Sequence, residues 1–304
     1  MISYAADLER TDGEQAVAAA KPGLQASSKP EDIDLWASCA RFSQLVDIAR
    51  SYRPNVPHEE YHQMNRNHYA LINAIEAHGK LSSDDRNAIM AIRLKARSFL
   101  SGDFIGREGR PESACAILVE GFAVRQKTTR LGGRQIVSLH GPGDALTLQN
   151  AFLGFPDYDV RSVGDCVASF VDTSVVRTLA AERPAVAHSF LVGAFTEAST
   201  AREWMLNIGR RSARTRLAHF LCEYLDRISF RMHPVDGRYE LRLTQEQIAD
   251  AIGMTAVHVN RMLKGLQTDK LIEQLGRSLT VPDMTALKEA GEYGDSYRYL
   301  PDIA

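Results

Sequence analysis

Leu243 to Gln267 reads LTQEQIADAIGMTAVHVNRMLKGLQ. Thr244 and Gln247 have the T-x-x-Q spacing of a capping box, which fixes a helix start. Counting from Gln245, the residues Ile248, Ala249 and Ile252 fall on one inward face. Gly253 supplies a tight turn, Met254 closes it, and Thr255 caps a second helix that buries Val259, Met262, Leu263 and Leu266. A small residue at Ala249 lets the two helices cross closely. Together these offsets specify a helix-turn-helix whose second helix is shaped to enter a major groove.

The face left to solvent suits that use. Thr255, Ala256, Val257, His258, Asn260, Arg261 and Lys264 line it. Arg261 has the fork that pairs bidentately with guanine, Asn260 and His258 reach other base edges, and Val257 suits a thymine methyl. Gln245, Thr255 and Lys264 are placed to hold the backbone. The next stretch, DKLIEQLGRSLTVPD, reads as two short strands around Gly276, a wing that brings Arg277 and Ser278 to phosphates. A helical hairpin buried in a core is the competing reading; the wing, the charge of the region and the helix upstream favour DNA.

Charge supports the same end of the chain. The 304 residues carry a net charge of −2, with 44 % hydrophobic and 24 % charged residues, the composition of an ordinary soluble protein. Arg210 to Arg277 holds 12 Lys/Arg against 8 Asp/Glu, whereas Met1 to Arg66 holds 7 against 10. A local field, not the total, governs what a surface attracts. No run of about 18 apolar residues occurs and the N-terminus is polar, so neither a membrane span nor a secretory signal is expected, and the chain is expected in the cytoplasm. Cys39, Cys115, Cys166 and Cys222 form no CxxC pair, which argues against a zinc ribbon, an iron–sulfur cluster of usual spacing or a disulfide scaffold.

Residues 1–66 read as an N-terminal extension. A tail rich in Ala, Gly and Ser ends at Pro30, and Leu35, Cys39, Phe42, Val46 and Ala49 then lie on one helix face. Met64, just before the helical NRNHYALINAIEAHGKL, is an alternative translation start. From Arg93 to Asp172 short β-rich runs alternate with glycine, the texture of a sandwich or barrel, with RLGGRQ as a hairpin turn at Gly132 and Gly133. After Pro184, Ala187, Leu191, Ala194, Ala198, Ala201, Met205 and Ile208 repeat at 4, 3, 4, 3, 4, 3; a helix lying on its own barrel is one reading, and the narrow, regular stripe favours a seam for a second copy of the chain. A helix from about Ala213 to Ile228 and the short strand RYELRLT lead to the helix-turn-helix.

With these parts in order, His68 to Gly291 resembles the Crp/Fnr (cyclic-AMP receptor/fumarate–nitrate regulator) family, and its alphaproteobacterial branch in particular. The helix-turn-helix and ILVEGFAVRQKTTRLGGRQIVSLHGPGD carry the likeness. The resemblance implies an α+β chain: a double-stranded β-helix sensor barrel of cyclic-nucleotide-binding type (67–183), a dimerisation helix (184–210), a winged helix-turn-helix (211–291) and a tail (292–304). It implies a homodimer on an inverted-repeat operator, in contact with RNA polymerase. Cyclic-nucleotide binders of the family carry a glutamate after a Gly-Asp turn and an Arg-Ser or Arg-Thr pair. Here Leu148 stands where that glutamate is expected, Pro156 falls nearer the arginine's place, and Arg161-Ser162 counts into the following strand. Neither cyclic-nucleotide nor iron–sulfur sensing is expected, no cofactor is assigned, and the effector stays open. Many members have a glutamate on the reading helix where this chain has Val257, which implies a different operator.

One motif points elsewhere. HEEYH, with His58, Glu59 and His62, matches the H-E-x-x-H zinc-hydrolase pattern, in which two histidines four apart share a metal. A catalytic zinc needs a third ligand and a dry site, whereas the flanks NVP and QMNRN are polar and irregular. A metal site in the barrel would have His140 as its one histidine. A ligand-binding scaffold without DNA activity is the third alternative, against which Arg261 and Lys264 speak.

Overall fold

The computed structural model describes residues 61–229, 238–294 and 297. The helix expected between Pro30 and Pro54, and His58 and Glu59 with the side chain of His62, lie outside the described residues.

Two helices, α1 (Tyr61–Glu76) and α2 (Ser83–Met90), precede the strands. Ser82 and Asp85 cap α2 reciprocally: the Asp85 amide donates to Ser82 Oγ and the Ser82 amide to Asp85 Oδ2, both at 3.1 Å. Then come β1 (Lys95–Phe99), β2 (Phe104–Gly106), β3 (Ala114–Glu120), β4 (Ala123–Thr128), β5 (Arg134–His140), the short α3 (Asn150–Leu153), β6 (Asp159–Ser162) and β7 (Cys166–Asp172). They form two antiparallel sheets in the orders β1-β7-β3 and β2-β6-β4-β5. Alternation along the strands turns Ile105, Leu118, Val160 and Ala168 into a shared interior that Leu146 joins from the loop after β5, all at most 4 % exposed. This is the expected barrel. Of the two hairpin glycines only Gly132 takes a positive φ, 85°.

Three helices follow: α4 (Thr173–Glu182), α5 (Pro184–Arg210) and α6 (Ala213–Ser229). Pro184 opens α5 because its fixed φ and missing N–H suit a first helical position. Buried Val186, Ser189, Ser199, Thr200, Trp204 and Asn207 form its inner face. Gly193 lets the loop after α1 cross it, since a Cβ there would lie 2.9 Å from the His78 ring. The winged unit is β8 (Arg238–Glu240), α7 (Gln245–Ile252), α8 (Ala256–Thr268), β9 (Glu273–Leu275), β10 (Ser278–Thr280) and α9 (Met284–Ala290), its sheet ordered β8-β10-β9.

The winged unit rests on the outer face of the four-stranded sheet. Phe122 meets Tyr224 edge to face at 5.6 Å, Arg227 Nη1 donates to Leu139 O at 3.1 Å, and Arg134 pairs with Asp250 on α7. One apolar cluster therefore runs from Val124, Ile136 and Leu139 through α6 into α7 and α8. No helix among the described residues is long and apolar enough to cross a membrane.

Candidate nucleic-acid interface

The reading helix α8 is held from both ends and from below. Thr244 caps α7, accepting from Gln247 N at 3.1 Å while Thr244 N donates to Gln247 Oε1 at 2.9 Å. Gly253 ends α7 in the left-handed region (φ 65°), which an L side chain adopts only at a cost. Arg216 Nη1 on α6 donates to Ile252 O at 3.0 Å, fixing a carbonyl of the turn. Thr255 then starts α8, its hydroxyl accepting from His258 N at 3.3 Å. Val259, Leu263 and Leu266 are buried, as are Ile248, Ala249 and Ile252 on α7, while Met262 is half-buried.

That anchoring leaves a defined outer stripe. Val257, 82 % exposed, is followed by Arg261 and Lys264 at helical spacing, both exposed; Thr255 and Gln245 are exposed beside them. Ala256, His258 and Asn260 are half-buried along its edge. Neither Arg261 nor Lys264 makes a side-chain ion pair or hydrogen bond with another described residue. Arginines nearby are engaged: on α6, Arg214 with Asp269 and Arg216 with the turn, and after β8, Arg242 with Glu240. Two free cations on a rigid helix, about one turn apart, form a surface that attracts phosphate and offers donors to base edges.

The wing extends it. Exposed Arg277 follows Gly276, whose φ of 60° makes the tight β9–β10 turn, and half-buried Ser278 begins β10. Leu241 N donates to Arg277 O at 2.7 Å and Tyr224 Oη to Glu240 O at 2.7 Å, tying the wing to α6. Two residues here were not singled out from sequence. Gln267 joins α8 to the wing through Gln274 O at 3.3 Å, and Leu275, 86 % exposed, stands at the wing tip. A hydrogen bond between separate elements leaves no periodic mark, whereas an apolar residue beside a turn glycine was a visible signal.

Along α5, Leu191, Ala194, Ala198, Ala201 and Met205 are all exposed, and Ile208 is half-buried against Gly253. Phe195 and Leu206, at 63 % and 47 % exposure, widen the stripe beyond the spacing pattern.

In the barrel, Leu148 is half-buried against the helical side of the core. Arg161 and Ser162 lie within β6, where Arg161 Nε donates to Gly102 O at 3.0 Å and Ser162 Oγ to Leu100 O at 2.5 Å. Both side chains hydrogen-bond to the loop before β2. Pro156 is buried, its carbonyl accepting from Gly109 N at 2.8 Å. His140 is buried and lies 2.8 Å from Ser138 Oγ. Among the described residues no three His, Cys, Asp or Glu gather as a metal site. Burial pushes the Cys115 and Cys222 thiols up to about 12 and Cys166 to about 11, so none is a ready thiolate.

A barrel, a long helix with one bare apolar stripe and a winged helix-turn-helix define a DNA-binding transcription regulator. Residues 215–290 match the Crp-like helix-turn-helix domain and residues 96–183 the cyclic nucleotide-binding domain. The chain is 30 % identical over 209 residues to the transcriptional activator protein FnrL of Cereibacter sphaeroides, spanning 66 % of this chain and 82 % of that one. It is 32 % identical over 158 residues to the transcriptional activatory protein AadR of Rhodopseudomonas palustris, spanning 51 % and 64 %. Among solved structures, FixK2 from Bradyrhizobium japonicum is similar with a TM-score of 0.61 and 25 % identity, covering 67 % of this chain and all 100 % of that one. The chain belongs to the Crp/Fnr family and is of its alphaproteobacterial type.

Proposed function

We propose that this regulator acts as a homodimer that lays its two α8 helices into successive major grooves of an inverted-repeat operator. The exposed stripe of Val257, Arg261 and Lys264 on a helix capped by Thr255 is the observation that carries the reading. Gln245, Thr255, Arg277 and Ser278 hold the sugar-phosphate backbone, while Arg261, Asn260, His258, Val257 and Ala256 face base edges. The bare stripe on α5 from Leu191 to Leu206 supplies the two-fold seam, because an exposed apolar strip of that length on a charged protein marks a partner surface. In this arrangement residues 67–183 are a sensor barrel, 184–210 the dimerisation helix and 211–291 the DNA-binding unit.

Leu148 in place of a carboxylate, and Arg161 and Ser162 committed to the loop before β2, favour a barrel that works without a cyclic nucleotide. The named relatives are transcriptional activators, which favours activation through contact with RNA polymerase in the cytoplasm. Nothing described favours the hydrolase reading.

Selection from random double-stranded DNA by the purified protein, beside Arg261→Ala at fixed salt, tests the proposal. The expected result is an enriched inverted repeat whose base preference relaxes at one position per half-site in the variant. Unchanged preference in Arg261→Ala would remove Arg261 from base reading, and enrichment of single half-sites would remove the dimer.

A further inference from the structure

The barrel interior holds a charge that the DNA-binding surface does not use. Arg125 on β4 is 4 % exposed. The β4–β5 register slips by one residue between Arg125 and Gln126, a bulge of the kind that re-aims a side chain. Its Nε donates to Leu146 O and its Nη2 to Ala145 O, both at 3.0 Å, and the guanidinium lies 4.4 Å from the centre of the Tyr158 ring. Tyr158 Oη donates to the same Leu146 carbonyl at 3.1 Å. The remaining arm, Nη1, pairs with Glu197 on α5. A guanidinium out of water needs acceptors, and here each of its three nitrogens has one.

The positions of those partners matter. Ala145 and Leu146 directly follow the Gly143-Asp144 turn, so the loop after β5 supplies both carbonyls. Glu197 sits between Ala194 and Ala198 on the bare stripe of α5, with its side chain 56 % exposed. One side chain thus joins the inside of the barrel to the helix face proposed to receive a second copy. We propose that Arg125 is the barrel's built-in ligand: a buried guanidinium that, through Glu197, holds α5 in the register that pairs two chains for DNA. The inference rests on the dimeric DNA-binding reading above. It assigns the barrel a ligand class, a small guanidinium cation, which the chain supplies itself. Arg125 is a positioning residue and touches no DNA.

Removing the side chain should leave a chamber that a free guanidinium ion re-enters. In the full chain, Arg125→Ala and Glu197→Gln are each expected to bind the selected operator about tenfold or more weakly than wild type, with base preference unchanged. Methylguanidinium at about 10 mM, far below denaturing concentration, is expected to restore Arg125→Ala and to leave Arg125→Ala/Glu197→Ala weak. Wild-type affinity in Glu197→Gln, a conservative change at a half-exposed carboxylate, would overturn the proposal, as would a folded Arg125→Ala that methylguanidinium does not rescue. The dimer dissociation constant, read by sedimentation without DNA, separates the two levels. If wild type selects no operator, the DNA reading fails, and Arg125 is then judged by whether Glu197→Gln weakens the dimer tenfold; an unchanged constant overturns it.

Discussion

Arg125 and Arg261 are the same residue in opposite circumstances. Inside the barrel, Arg125 is buried, with two carbonyls, an aromatic face and a carboxylate around it. On α8, Arg261 is exposed and has no described side-chain partner, although the helix beneath it is capped by Thr255 and seated on Val259 and Leu263. A charge that the fold has satisfied works on the fold, whereas a charge held rigidly and left unsatisfied is available to another molecule. Burial and the matching of donors therefore go together in this pair.

The largest effect that would sharpen this contrast is on the support of Arg261. Leu263→Ala, at a site 2 % exposed, should destabilise the winged unit by about 2–5 kcal/mol in denaturant unfolding. A smaller loss would show that α8 is less firmly seated than its burial implies. Next, Arg261→Ala should cost about 1–3 kcal/mol in operator binding while leaving unfolding unchanged, which separates contact from scaffold. Thr255→Ala removes the α8 cap and should cost about 1 kcal/mol of stability, with weaker DNA binding of every sequence. Lys264→Ala should weaken all sequences alike and lower the slope of log affinity against log salt by about 1, measured by titration at several salt concentrations.

The smallest effect concerns pH. His219 on α6 lies against Tyr293 with ring centres 5.0 Å apart and donates from Nδ1 to Gly291 O at 3.1 Å. Burial, reinforced by the Arg211 guanidinium, lowers its pKa. The folded state therefore keeps the ring neutral, and the unfolded chain binds the proton first. Its contribution is complete above the unfolded histidine pKa of about 6.5 and is lost as pH falls below it. Thermal unfolding of wild type should show this acid-side slope, and His219→Gln should lack it; equal slopes would rule out His219 as the source.

Much of the reading end was legible because its signals are local. T-x-x-Q, the glycine at 253, a threonine cap and an apolar repeat each act within a few residues, and all four take the expected form. Pro184 likewise begins the long helix where the repeat begins. The helices α2, α4 and α9 were not anticipated. Strand β6, into which Arg161-Ser162 counts, is four residues long and takes its bounds from pairing with β2 and β4.

By itself, then, the sequence determined the helix-turn-helix, its exposed donors, the long helix and the barrel texture, because capping, turn and periodicity forces operate between near neighbours. Only the tertiary structure decided which charges stay free. Arg125 and Glu197 are 72 residues apart, and a cation in AVRQKT reads as a solvent-facing strand residue until the fold closes over it. The match between a buried donor and its acceptor is made across the chain, so its outcome appears only when the chain has folded.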